Sequence, residues 1–247
     1  MRNSLCEAIF AISTFFAAQG LGQEVRSAKA SAPIDLTGYW VSVITQDWRW
    51  RMVTPSKGDY AGIPITAKAK RVADTWDAAK DEASGMQCKS YGAPGLMHAP
   101  TRLRITWQDE NTLKVESDYG MQTRLLHFGN WKSSGGPGTL QGDSAALWER
   151  PRAGRGEAPP AGFGDLKVVT NHFSGGYLRK NGVPYGADAV FTEYWDLFKE
   201  RNGDQRIMVA TRLADPQYLS IPWLTVVQFK KETSSAKWDP TPCSAKW

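Results

Sequence analysis

The chain is poor in the side chains on which most enzyme chemistry relies. Its 247 residues hold three cysteines and three histidines, and these are scattered: Cys6, Cys88 and Cys243 against His98, His127 and His172. No short ligand pair of the kind that holds zinc is present, so no metal site is expected. The sequence also has no nucleophile elbow, phosphate loop, dinucleotide fingerprint or zinc-peptidase motif. Without these, the classes that remain are binding and cofactor-independent acid–base chemistry, and no cofactor is expected. Beyond the N-terminus no apolar run reaches the roughly 20 residues that a spanning helix needs. The excess of basic residues, 30 against 25 acidic for a net charge of +5, is spread along the chain. No nucleic-acid partner is expected from such a pattern.

Tryptophan, by contrast, is abundant. Eleven are present, a costly way to fill an ordinary core, and they suit a wide apolar cavity or a carbohydrate-like or aromatic ligand. The N-terminus reads as a secretory signal over residues 1–22: Arg2, an apolar run from Leu5 to Ala18 broken by Glu7, then small residues with cleavage expected after Gly20 or Gly22. A membrane anchor is the alternative, and the run is short for one. Loss of this segment removes one Arg and one Glu, so the mature charge stays at +5. It also leaves Cys88 and Cys243 as a pair in an oxidising compartment, periplasmic or extracellular, where a disulfide is expected.

Residues 23–34 are small and polar, as in a flexible leader, and residues 35–247 read as one β-barrel domain. The stretch 35–53, DLTGYWVSVITQDWRWRMV, opens it as a first strand or hairpin. Tyr39, Val41 and Val43 share one face, and farther on Trp48, Trp50 and Met52 oppose Arg49 and Arg51. A helix is expected over residues 67–79, capped by Thr66, with Val72, Ala73 and Trp76 as its apolar stripe. Residues 84–100 form a long Gly/Pro-rich loop that a disulfide would pin. Strands follow near 101–108, 112–117, 121–128, 145–150, 165–173, 176–180, 189–198, 205–213 and 219–231. Their short length, with turns every 8 to 12 residues, marks an all-β sandwich or barrel. A closed antiparallel barrel of roughly 8–10 strands, with one helix and long rim loops, fits best. A two-sheet sandwich and a nuclear-transport-factor type of cone are the alternatives, and the oligomeric state stays open.

At Gly38, Tyr39 and Trp40 the chain resembles the first strand of lipocalins and other calycins, whose Gly-x-Trp sets an indole across the closed barrel end. That resemblance implies a basic residue of the last strand packed on Trp40, here Lys230 or Lys231 in place of the usual Arg. Ser117, Asp118 and Tyr119 echo the second lipocalin motif. The strings DLTGYWVSVITQDWRWRMV, GYLRKNGVPYG and TEYWDLF are similar to a group of exported bacterial proteins of uncharacterised activity. A looser association links them to cofactor-independent lyases of lignin-derived aromatic dimers, γ-formaldehyde lyases among them. It implies acid–base lyase chemistry on an aromatic compound.

Candidates for that chemistry follow from residue type. Glu193 lies between Phe191 and Trp195 on a strand; facing the cavity, it would be a general acid or base, and paired with an Arg such as Arg212 it would be structural glue. His127, at the end of a strand, is a second candidate base. Tyr177, beside Arg179, Lys180 and Tyr185 at the Asn181-Gly182 turn, is a candidate acid or oxyanion donor. Arg49, Arg51, Arg102 and Arg124 are candidates to hold a carboxylate or phenolate, and Trp48, Trp50, Tyr60 and Tyr91 to line the site. The expected partner is a small aromatic molecule, either transformed in the barrel or, in the alternative reading, an apolar compound carried by it.

Overall fold

Alternation of apolar and polar residues builds the wall of the molecule. The computed structural model describes residues 26–44, 48–52, 55–133, 135–150 and 163–246. Its strands are β1 (Gly38–Val43), β2 (Arg102–Asp109), β3 (Thr112–Ser117), β4 (Thr123–Phe128), β5 (Asp143–Glu149), β6 (Asp165–Asn171), β7 (Gly176–Tyr177), β8 (Pro184–Tyr185), β9 (Val190–Lys199), β10 (Gln205–Ala214) and β11 (Trp223–Glu232). Nine of them close into a barrel in the order β1-β11-β10-β9-β6-β5-β4-β3-β2, and β7 and β8 form a separate ribbon. The expected signal segment and most of the loop at residues 151–164 lie outside the described residues.

An odd strand count has a consequence for direction. Strands that alternate up and down around a ring cannot close on an odd number, so one neighbouring pair has to run parallel. That pair is β4 with β5, matched at Leu126↔Ser144 and His127↔Ala145. Every other barrel contact is antiparallel. Residues 129–142 therefore carry the chain back along the barrel to start β5. The barrel is compatible with a lipocalin-like fold, and the ninth strand and the parallel pair set it apart from the eight-stranded up-and-down pattern.

Inward positions recur every second residue, and large side chains fill them. Trp40, Leu103, Ile105, Leu126, Phe191, Trp195, Val209 and Phe229 are buried almost completely. Each such side chain contributes about 1.5–3 kcal/mol of burial. Trp40 and Trp195 thus serve as core filling. Trp40 also closes one barrel end as the calycin resemblance implies: its indole donates to the Leu36 carbonyl at 2.9 Å, and Lys231, its cross-strand partner, sits 5.1 Å above the ring. Gly38 adopts φ +118, and a Cβ there would lie 3.2 Å from the Lys231 side chain. The glycine lets the lysine reach the indole.

The opposite end is capped by residues 48–52 and 55–101 and by the β7–β8 ribbon. Here the first-hairpin expectation fails. β1 stops at Val43, and Trp48–Arg51 is a single helical turn, α1. Successive side chains on a helix diverge by about 100° rather than 180°, so Arg49 and Arg51 point apart instead of sharing a face. The helix expected over 67–79 is interrupted: α2 (Ala67–Thr75) ends where Trp76 turns extended, and α3 (Ala78–Ala83) restarts under an Asp77 cap. Thr66 caps α2 as expected, its Oγ1 accepting from the Ala69 amide at 3.2 Å. A 3-10 turn (Lys89–Tyr91) and α4 (Ala93–Leu96) complete the cap, inside the stretch expected as loop.

The C-terminal segment runs back along the barrel and is strapped to this cap. Cys88 and Cys243 form the expected disulfide. Thr241 pairs with Tyr119, and Glu82 accepts from Ser244 Oγ at 2.9 Å and the Ala245 amide at 2.7 Å. Gly120 makes room for the Tyr91 ring, since a Cβ there would lie 2.1 Å from it.

Candidate functional site

The structure brings two of the expected site residues together inside the barrel. Arg124 of β4 and Glu193 of β9 are 3% and 0% exposed. The guanidinium donates from both terminal nitrogens to the carboxylate, at 3.1 and 2.5 Å. Arg124 also donates to Thr170 Oγ1 at 3.3 Å, and Thr170 meets Ser144 at 2.8 Å. In this arrangement a buried carboxylate is matched by a bidentate cation, the geometry that makes burial of either charge tolerable. The partner is Arg124 from across the barrel, and Arg212, the partner considered from sequence, points outward. A general base would have to break this pair first.

The other candidates are dispersed. Arg102 lies on the outer wall between Glu232 (3.1 Å) and Asp118 (3.7 Å). Trp48 is 60% exposed, and Arg49 reaches Asp59 at 3.0 Å. The side chain of Trp50 lies outside the described residues. His127 faces outward and stacks on Trp131 at 4.1 Å, with burial holding its pKa below the usual value. Tyr60 donates to Asp74 at 2.7 Å; burial, helped by that carboxylate, pushes its hydroxyl up to about 12. Tyr177 packs on Trp76 and is likewise raised to about 12 by burial and the nearby Asp81. Tyr91 donates to the Ser244 carbonyl at 3.1 Å, holding the strap. His127 and Tyr177 therefore stand apart from Glu193.

Arg51 is the exception, and a recess has formed around it. Pairing of β11 with β1 runs only from Gln228 to Glu232, so the first half of β11 extends past its last β1 partner. There Arg51, Gly62, His98 and Arg179 complete the wall beside Trp223, Leu224, Thr225 and Val226, around a space of about 230 Å³. A smaller space of about 40 Å³ adjoins it, sharing Arg51, His98 and Arg179 and adding Ser90, Tyr119 and Lys180. No carboxylate lines either space among the described residues.

The contacts described for the cations of the recess include backbone carbonyls and ring faces. Arg51, 5% exposed, donates to the carbonyls of His98 at 2.9 Å and Val43 at 2.8 Å. Arg179 donates to the Ala61 carbonyl at 2.8 Å. Lys180 lies 4.8 and 4.9 Å above the Tyr91 and Tyr119 rings and donates to the Lys246 carbonyl at 3.3 Å. His98 contacts Thr225 Oγ1 at 3.2 Å through Nε2 and packs on Trp223 at 4.7 Å. Burial, then the charges of Arg51 and Arg179, push its pKa down to about 3, so the imidazole is neutral at physiological pH. Trp223 is fixed by donation to the Gly62 carbonyl at 2.8 Å.

From sequence, His98 drew notice only as one of three scattered histidines that make no metal site, and Arg179 and Lys180 only as neighbours of Tyr177. Trp223 and Thr225 were missed. The available signal was the Asn181-Gly182 turn, beside which Arg179 and Lys180 both line the smaller space. A larger groove of about 620 Å³ at the other barrel end mixes Glu149, Asp165 and Asp196 with Arg150 and Lys199. It carries both signs of charge, and burial with the neighbouring Asp196 and Glu149 raises the Asp165 pKa, so its lining is unlike the wholly basic and neutral lining of the recess.

The architecture is that of a closed β-barrel with a basic lateral recess, a type suited to holding a small ligand. No protein-family model, curated protein or solved structure matches the chain.

Proposed function

We propose that the protein is an exported barrel that binds a small aromatic compound in the recess beside β11, as a carrier. The observation that carries this reading is the joint lining of one open space by two guanidinium groups, a neutral imidazole and an indole. Concave sites with apolar walls and a few convergent polar groups are where small molecules bind. Export rests on the signal-like residues 1–22 and agrees with the disulfide, which belongs to an oxidising compartment. The test is titration of the mature protein with single-ring phenols and aromatic acids, followed by calorimetry. If the folded protein binds none of them, the reading is wrong.

Cofactor-independent lyase or isomerase chemistry is the second reading, favoured by His98. A neutral imidazole held between cations polarises a ligand carbonyl without having to give up a proton first. Incubation with lignin-type aromatics, with mass spectrometry for loss of formaldehyde or water, separates the two. Turnover above a protein-free control selects the enzyme, and tight binding without turnover selects the carrier.

A further inference from the structure

We infer that the outer wall of the barrel from β5 to β11 is the contact face of a weak dimer, covered by a second copy of this chain. This face would serve whether or not the recess holds a ligand.

Strand register sorts the outward side chains of this wall into two rows. Leu224, Arg212, Thr192, Val169 and Ala145 are in-register neighbours across β11, β10, β9, β6 and β5. The second row lies two residues along each strand, at Val226, Ala210, Tyr194, Lys167 and Leu147. Only Arg212 and Lys167 among them carry charge. Leu224 is 69% exposed, Leu147 47%, Val226 46% and Tyr194 38%, and Ile221 (65%) and Val190 (36%) extend the belt toward the capped end.

The wall across the barrel shows what a solvated face of this protein carries. There the outward cations are answered, Arg102 by Asp118 and Glu232, and Arg104 and Lys114 by Glu116. The belt instead presents apolar surface, and one of its two cations, Lys167, is already held by Glu149 at 3.1 Å. No carboxylate lies in either row. A contiguous exposed apolar face on an antiparallel sheet marks a contact with another molecule.

Size, charge and area together select a second copy. On β5, β9 and β10 one of the two outward residues is large and the other small: Leu147 and Ala145, Tyr194 and Thr192, Arg212 and Ala210. Let two belts face each other about a two-fold axis that lies between the rows, the isologous arrangement commonest among dimers. Each residue then meets the other row on the same strand of the second copy. Tyr194 meets Thr192, Arg212 meets Ala210 and Leu147 meets Ala145, so large side chains enter the gaps above small ones and no cation faces a cation. With strands ~4.8 Å apart and ~3.3 Å per residue, five strands by about six residues cover roughly 480 Å². Two such faces remove about 960 Å² from water, near the ~1,000 Å² floor of a specific interface, which sets Kd on the order of 10–100 µM.

Sedimentation velocity of the mature full chain, over concentrations spanning that Kd, tests the assignment. A reversible shift from monomer to dimer is expected. Leu224→Lys, at an exposed position, should weaken the dimer at least tenfold, with thermal unfolding showing that the variant is as stable as the parent. Thr192→Trp, which fills the gap meant for Tyr194 of the second copy, should do the same. Thr123→Lys, exposed on β4 outside the belt, should leave the dimer unchanged. A chain that stays monomeric throughout overturns the inference. A dimer that survives both Leu224→Lys and Thr192→Trp places the contact on another face and overturns it equally. Vesicles of phosphatidylcholine with phosphatidylglycerol test the other occupant. Vesicle binding that Leu224→Lys abolishes, by a chain that is monomeric in solution, would make the belt a lipid-facing surface and not a dimer face.

Discussion

Two buried arginines, Arg124 and Arg51, sit in opposite kinds of surroundings. Arg124 lies within the barrel and is answered by Glu193 on two nitrogens. Arg51 lies at the capped end, where the contacts described for it are to backbone carbonyls, and it opens on a space shared with Arg179. A matched pair spends its charge on itself and serves cohesion. Arg51 instead borders an open space, where its guanidinium is within reach of whatever enters. Burial of a guanidinium therefore does not identify a site; the space it opens on does.

Breaking the matched pair should produce the largest effect. Glu193→Ala leaves Arg124 buried without its counter-charge and is expected to cost about 3–5 kcal/mol in urea unfolding. Replacing both, as Arg124→Met with Glu193→Leu, should recover most of that loss. If the double variant is as unstable as the single, the pair is more than mutual neutralisation. Next in size, Cys88→Ser with Cys243→Ser should cost about 2–4 kcal/mol, because the bridge closes a long loop. That variant should weaken ligand binding in the recess as well, since Lys180 and Tyr119 are fastened to the strap.

A pH effect attaches to the recess through His98. His98 is held to about 3 when folded and near 6.5 when unfolded. Between those values the unfolded chain binds the extra proton, so stability should fall as pH drops from about 6.5 toward 3. His98→Gln should flatten this slope in denaturant titrations at pH 4.5 and 7; an unchanged slope would mean that the ring is protonated in the folded state. The smallest expected effect is Arg179→Gln, which should shift unfolding by less than about 0.5 kcal/mol while changing the ligand affinity. A loss comparable to that of Glu193→Ala would place Arg179 with the structural pair instead.

The barrel was legible in the sequence because its signal is local. Period-two alternation in Thr101 to Gln108 or Ala189 to Phe198 survives in the fold with shifts of about one residue, as β2 (Arg102–Asp109) and β9 (Val190–Lys199). The Cys pair was legible by count. Trp48 to Arg51 misled because four residues fit a strand and a helical turn equally well, and the choice was made by distant carbonyls at Val43 and His98. Glu193 was legible as buried, but its partner was 69 residues away on a strand that shares no edge with its own. The recess stayed hidden for the same reason. It joins α1, the loop after α4, the β7–β8 turn and β11, and no spacing in a linear chain encodes that meeting.

The bridge from Cys88 to Cys243 has a topological consequence. It spans 155 positions and makes a covalent ring that contains β2 through β11. β1 lies outside that ring, although it is the stave that joins β2 to β11 and closes the cylinder. A protease cut within the ring leaves the pieces tethered under denaturing, non-reducing conditions. A cut between Val43 and Cys88 frees the closing stave. The cylinder is thus a locked sheet of eight staves and one detachable key, and the Gly38–Trp40 step sits on the key.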